Sequence, residues 1–147
     1  MHSKYLRLAL DEAKKCNPTD TAFCVGSVIV ENGQVVSTGY SRELPGNTHA
    51  EESAILKLLQ RDPKHDFTRS VIYSTMEPCS KRLSGNVPCT QHIIANKFHK
   101  VVLGCREPTT FVVCEGVRQL QAAGIIVEED LQFQDECLRV AKQSHNQ

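Results

Sequence analysis

Four side chains in the middle of this sequence have the types and the order of a hydrolytic metal centre. His49 and Glu51 stand two apart in Thr48-His49-Ala50-Glu51, where an apolar helical run begins. Cys79 closes Glu77-Pro78-Cys79 after a strand, and Cys89 follows Pro88 at the start of another helix. Two thiolates and one imidazole suit zinc and leave the fourth corner of its tetrahedron open for water. Zinc brings such a water to a pKa of about 7, and a nearby carboxylate that is not a ligand can then shuttle protons. On this reading His49, Cys79 and Cys89 hold one zinc ion per chain, and Glu51 is the proton carrier.

Each residue also has an ordinary explanation. Thr48-x-x-Glu51 ahead of an apolar run is a capping box, in which Glu51 accepts from the Thr48 backbone N–H. In mid-helix, residues two apart point to nearly opposite sides, so His49 and Glu51 share a metal only at a helix's open first turn. Buried cysteines are common core residues. Cys79, however, ends a strand, where sites on open sheets form. Cys89 follows a proline suited to a first helical turn, where the helix dipole favours thiolate. His92, three residues after Cys89 on the same helical face, offers a rival completion: a closed Cys2His2 structural site with no role for Glu51.

The elements that must position these residues follow from periodicity. Residues 3–16 read as an amphipathic helix stopped by Asn17-Pro18. Phe23 to Val30 and Gln34 to Tyr40 read as strands joined by the Asn32-Gly33 hairpin turn. A loop, Ser41–Asn47, leads to a helix from His49 to about Gln60. Strands are expected over Ser70–Thr75, Lys100–Cys105 and Ile125–Glu128, with helices over Pro88–Asn96, Glu115–Ala123 and Leu131–Gln143. A hairpin followed by alternating strands and helices predicts an α/β protein: a three-layer α/β/α sandwich around a mixed five-stranded sheet. The 147 residues fit one domain, 1–147, without repeat or linker.

Composition narrows the partners. Seventeen basic and seventeen acidic side chains balance, so the chain lacks the basic surplus of a nucleic-acid binder and suits a small substrate. Its longest apolar runs are too short to span a bilayer. Seven scattered cysteines, without an export signal at Met1-His2-Ser3-Lys4-Tyr5, predict reduced thiols and a cytoplasmic location.

His-Ala-Glu followed by paired cysteines resembles the cytidine-deaminase-like superfamily. The usual second motif is Pro-Cys-x-x-Cys; here nine residues separate Cys79 from Cys89. That wide spacing looks like the diaminopyrimidine deaminases of riboflavin biosynthesis, and Ser80 to Asn86 looks most like their fungal members. Val25-Gly26-Ser27-Val28-Ile29-Val30, Ser74-Thr75-Met76-Glu77-Pro78-Cys79-Ser80 and Leu120 to Ile125 fall in the family's order. Ala22-Phe23 replaces the bacterial Asn-Pro, and no residues remain for the bacterial reductase domain; both suit a stand-alone fungal-type enzyme.

The resemblance implies a cytidine deaminase-like fold and zinc-dependent hydrolytic deamination. Its implied substrate is 2,5-diamino-6-ribitylamino-4(3H)-pyrimidinone 5′-phosphate, with release of ammonia. Substrate contacts are expected from the Ala50 backbone N–H, Asn47 and Glu77, and from Phe23 stacking on the ring; as a core residue Phe23 would have no such role. Lys81, Arg82, Ser84 and Asn86, in the insert between the cysteines, offer a basic and polar grip for a phosphate; as a solvated loop they would have no such role. The superfamily's habit implies a homo-oligomer, a dimer, with no nucleic-acid or membrane partner. Other readings are a deaminase of nucleosides, bases or tRNA, and a non-catalytic zinc module.

Overall fold

The computed structural model describes residues 2–17, 23–46, 48–76, 89–105 and 116–142. Five strands form one sheet in the order β2-β1-β3-β4-β5. These are β1 (Gly26–Glu31), β2 (Gln34–Tyr40), β3 (Val71–Ser74), β4 (Lys100–Leu103) and β5 (Ile126–Glu129). β1 runs antiparallel to both β2 and β3, whereas β3, β4 and β5 are parallel. The helices are α1 (His2–Ala13), α2 (Ala50–Arg61), α3 (Cys89–Ala95), α4 (Gly116–Ala122) and α5 (Gln134–Ala141). A 3-10 turn, Leu131–Phe133, opens the last helical segment, which the sequence predicted as one continuous helix.

Alternation along the strands builds the layers. Ile29, Ile72, Val101 and Leu103 pack on one face with Ala54, Ile55 and Leu58 of α2, Ile93 of α3 and Leu120 of α4. The intervening residues Val28, Val30, Tyr73 and Val102 face the other way, onto Tyr5, Leu6 and Ala9 of α1. Leu10 and Ala13 continue that second layer to Cys137, Val140 and Ala141 of α5. A period of two in the strands leaves the three central strands, β1, β3 and β4, apolar on both faces, while the edge strands β2 and β5 are partly exposed. The three-layer α/β/α sandwich expected from the sequence is the observed architecture.

Two glycines bring the elements to their working separations. At the β1–β2 turn both Asn32 (φ 52°) and Gly33 (φ 75°) are left-handed, as a two-residue hairpin turn requires. Gly39 on β2 lies beneath the first turns of α2: a Cβ there would stand 2.2 Å from the Ala50 carbonyl oxygen and 2.7 Å from the Ala54 nitrogen. Only a residue without a side chain lets α2 rest its backbone directly on the sheet at this point.

Candidate active site

The C-terminal end of β3 and the start of α2 meet at one place. The segment before α2 is tied down by Thr48, whose hydroxyl donates to the Leu44 carbonyl (2.9 Å) and accepts from the Leu44 N–H (3.0 Å). The Arg42 N–H donates to the Thr48 carbonyl at 2.6 Å. His49 follows as the extended N-cap residue, and its carbonyl accepts the Ser53 N–H at 2.9 Å. The helix therefore begins at Ala50, and His49 projects from its open end.

Capping is done by a different glutamate from the one the sequence pattern pointed to. The His49 N–H donates to Glu52 Oε1 at 3.1 Å, so the box is His49–Glu52 and not Thr48–Glu51. The shift follows from the backbone, since Thr48 is held by Leu44 and belongs to the loop. Glu51 is only 3% exposed, on the sheet-facing stripe of α2 with Ala54, Ile55 and Leu58. A carboxylate at i relative to apolar neighbours at i+3, i+4 and i+7 faces the core, and one that is buried must have polar partners. Ser74, the last residue of β3, supplies one: its Oγ lies 2.6 Å from Glu51 Oε1. Ser74 shares its strand face with Ile72, and that parity is the sequence signal that points it at α2.

Cys89, the first residue of α3, is fully buried, and its Sγ lies 3.3 Å from His49 Nδ1. Two donors on one tetrahedral zinc, with bonds of about 2.3 Å to sulfur and 2.0–2.1 Å to nitrogen, stand about 3.6 Å apart. The imidazole–thiol pair fits that requirement in chemistry and in spacing. His92 turns elsewhere, with its Nε2 3.7 Å from the Glu52 carboxylate. Among the described residues no group of three His, Cys, Asp or Glu side chains converges on a metal position, so His92 does not complete a set with His49 and Cys89.

The exit of β3 is anchored from two sides. The Thr75 N–H donates to the Gly26 carbonyl (3.0 Å), and the Gly26 N–H donates to Thr75 Oγ1 (3.1 Å). The Gly104 N–H donates to the Ser74 carbonyl (2.9 Å), and the Cys105 thiol donates to the Thr75 carbonyl (3.1 Å). Ala50 is fully buried at the first position of α2, where backbone N–H groups lack an intrahelical acceptor. Phe23 is half-buried and packs on the cluster that contains Met76, Cys105 and Cys137. Asn47, Glu77, Cys79, Lys81, Arg82, Ser84 and Asn86 lie outside the described residues.

Residues 1–105 match the family described as the cytidine and deoxycytidylate deaminase zinc-binding region. The chain is 60% identical over 144 residues to the diaminohydroxyphosphoribosylamino-pyrimidine deaminase of Schizosaccharomyces pombe, a match covering 98% of this chain and 36% of that protein. It is 35% identical over 137 residues to the riboflavin biosynthesis protein RibD of Actinobacillus pleuropneumoniae, covering 90% of this chain and 34% of the relative. The chain thus spans about a third of the length of these curated relatives. Among solved structures, the Aspergillus oryzae Rib2 deaminase in complex with DARIPP superposes with a TM-score of 0.85 at 37% identity, over 97% of this chain and 91% of that one. With its zinc-binding region matched from the first residue through β4, and with His49, Glu51 and Cys89 gathered at one end of the sheet, the chain belongs to the cytidine and deoxycytidylate deaminase family.

Proposed function

We propose that this chain is a zinc-dependent aminohydrolase of riboflavin biosynthesis. It deaminates 2,5-diamino-6-ribitylamino-4(3H)-pyrimidinone 5′-phosphate and releases ammonia. The observation that carries the reading is the pairing of a buried, non-capping Glu51 with the His49–Cys89 contact at one helix start. The fungal relative named for this class of substrate and the fungal structure holding DARIPP support the substrate assignment.

In this reading His49, Cys89 and Cys79 hold one zinc ion per chain. Zinc, when bound, supplies a water acidified to near neutrality as the nucleophile. Glu51 accepts the water proton at its carboxylate and delivers it to the ring nitrogen; it then takes the proton of the hydroxyl added at the amine-bearing carbon and passes it to the departing amine, which leaves as ammonia. The Ala50 N–H, at the open start of α2, donates to a ring carbonyl. Glu77 supports the site from the cysteine segment, while Phe23 and Asn47 border the pyrimidine. Lys81, Arg82, Ser84 and Asn86 hold the phosphate through charge-assisted hydrogen bonds. Residues 1–147 act as one deaminase domain in a cytoplasmic homodimer. Among the described residues no helix is long and apolar enough to cross a membrane.

The test is ammonia release from zinc-loaded protein offered the ribitylamino-pyrimidinone phosphate, its ribosyl counterpart and cytidine, with Glu51→Gln alongside. Release from the ribityl compound alone, abolished in the variant, is the expected result. Preference for the ribosyl compound or for cytidine would overturn the substrate assignment. Arg82→Ala is expected to raise KM roughly ten-fold, the size of one charged hydrogen bond; an unchanged KM would remove Arg82 from the phosphate site.

A further inference from the structure

Ser74 enters the site together with Glu51, and nothing in the family motif assigns it a task. It is fully buried at the end of β3. Its backbone is held on both sides, paired with Ser27 of β1 and Leu103 of β4. Its Oγ lies 2.6 Å from Glu51 Oε1 and 2.6 Å from the Met76 carbonyl oxygen. The residue following it is fixed as well, because Thr75 is tied to Gly26 in both directions. The hydroxyl therefore sits at a set point on a central strand, with the carboxylate on one side and a carbonyl on the other.

Glu51 is the opposite kind of group. It is a long side chain with several torsions, in the first turn of a helix, and its direction must come from what it touches. Proton transfer requires heavy-atom separations of about 2.6–3.2 Å, so a carboxylate that swings by an ångström loses rate without losing substrate affinity. We propose that Ser74 is a positioning residue for the deamination: its buried hydroxyl holds Oε1 and so fixes the direction of the Glu51 carboxylate. This rests on the reading of Glu51 as the proton carrier. A hydroxyl serving the core alone would affect stability and leave the rate per folded, zinc-loaded molecule unchanged.

The experiment compares wild type, Ser74→Ala and Ser74→Cys as zinc-loaded proteins, measuring kcat, KM, zinc content and thermal midpoint. Ser74→Ala is expected to lower kcat roughly 10- to 100-fold, the size of a hydrogen bond to a charged group, with KM and zinc content unchanged. Ser74→Cys keeps the shape but offers only a weak donor, so its kcat should fall between the two. That variant carries the test if alanine does not fold. A wild-type kcat in the variant that folds, or a loss that tracks zinc content, would overturn the positioning role. Glu51→Gln separates the two ideas. Wild-type turnover in Glu51→Gln defeats the underlying mechanism, whereas inactivity there beside full kcat in Ser74→Ala defeats only the role of Ser74.

Discussion

The two ends of β3 each bring a serine to a glutamate, and the surroundings give the two pairs different work. Before the strand, the Ser70 hydroxyl donates to Glu31 Oε2, and the same oxygen lies 2.6 Å from His65 Nε2. The His65 ring also has its Nδ1 3.3 Å from Asp62. After the strand, Ser74 meets Glu51 beside the His49–Cys89 pair. The Glu31 side chain keeps 19% of its surface exposed and faces an imidazole between two carboxylates, an arrangement that stabilises charge. Glu51 is 3% exposed, two residues from His49, and is the group that the proposed function uses as proton carrier. The same residue pair is closed by an imidazole at one end of the strand and lies beside an imidazole–thiol pair at the other, and the proposed function makes the first a clamp and the second a tool.

Exchanging the two glutamates for glutamine is the most direct way to break this comparison. Glu51→Gln should lower kcat by roughly 10²- to 10⁴-fold, the usual contribution of a positioned acid–base group, with the fold retained. Glu31→Gln should leave kcat unchanged and lower stability by about 1–2 kcal/mol in denaturant titrations. A large kcat loss in Glu31→Gln would erase the distinction. Next in size is Gly39→Ala, whose methyl meets the backbone of α2 at 2.2 Å. It should cost about 3 kcal/mol and reduce zinc uptake, because it lifts the helix that carries both His49 and Glu51. A stability change below about 1 kcal/mol would show that α2 seats independently of the sheet.

The smallest expected effect sharpens the clamp. Burial alone would push the His65 pKa down, but the Glu31 and Asp62 carboxylates outweigh it and hold it above its ordinary value of 6.5. Folding therefore takes up a proton. The stabilisation is complete below pH 6.5 and disappears as the pH rises through the folded-state value. His65→Ala should accordingly lose about 1 kcal/mol more relative to wild type at pH 5.5 than at pH 9, measured by urea denaturation. Equal losses at both pH values would mean that the ring contributes packing against Phe67, 4.8 Å away between ring centroids, and no charge.

Much of this was legible in the chain because local patterns carry it. The hairpin at Asn32-Gly33 rests on residues tolerant of positive φ, and the core stripes of α1 and α2 rest on helical spacing. Element ends were less legible. β1 begins at Gly26 and not at Phe23, which turns out to pack on an apolar cluster, and β4 ends at Leu103, two residues short of Cys105. Strand ends depend on where a neighbour's hydrogen bonds stop, and that is a property of the pairing.

By itself the sequence determined the order of strands and helices, and therefore the fold class, because periodicity is local; the donor set is what its side-chain chemistry proposes. It also carried, unread, the spacing that puts Glu51 in register with Ala54, Ile55 and Leu58. Only the tertiary structure decided which glutamate caps α2 and which one enters the site. It also brought Cys89 to His49 across forty positions, and Ser74 to Glu51 across twenty-three. Those outcomes depend on where the loop held by Thr48 stops and on how closely α2 rests on Gly39. Both are set by contacts between segments far apart in the chain, which local spacing does not encode.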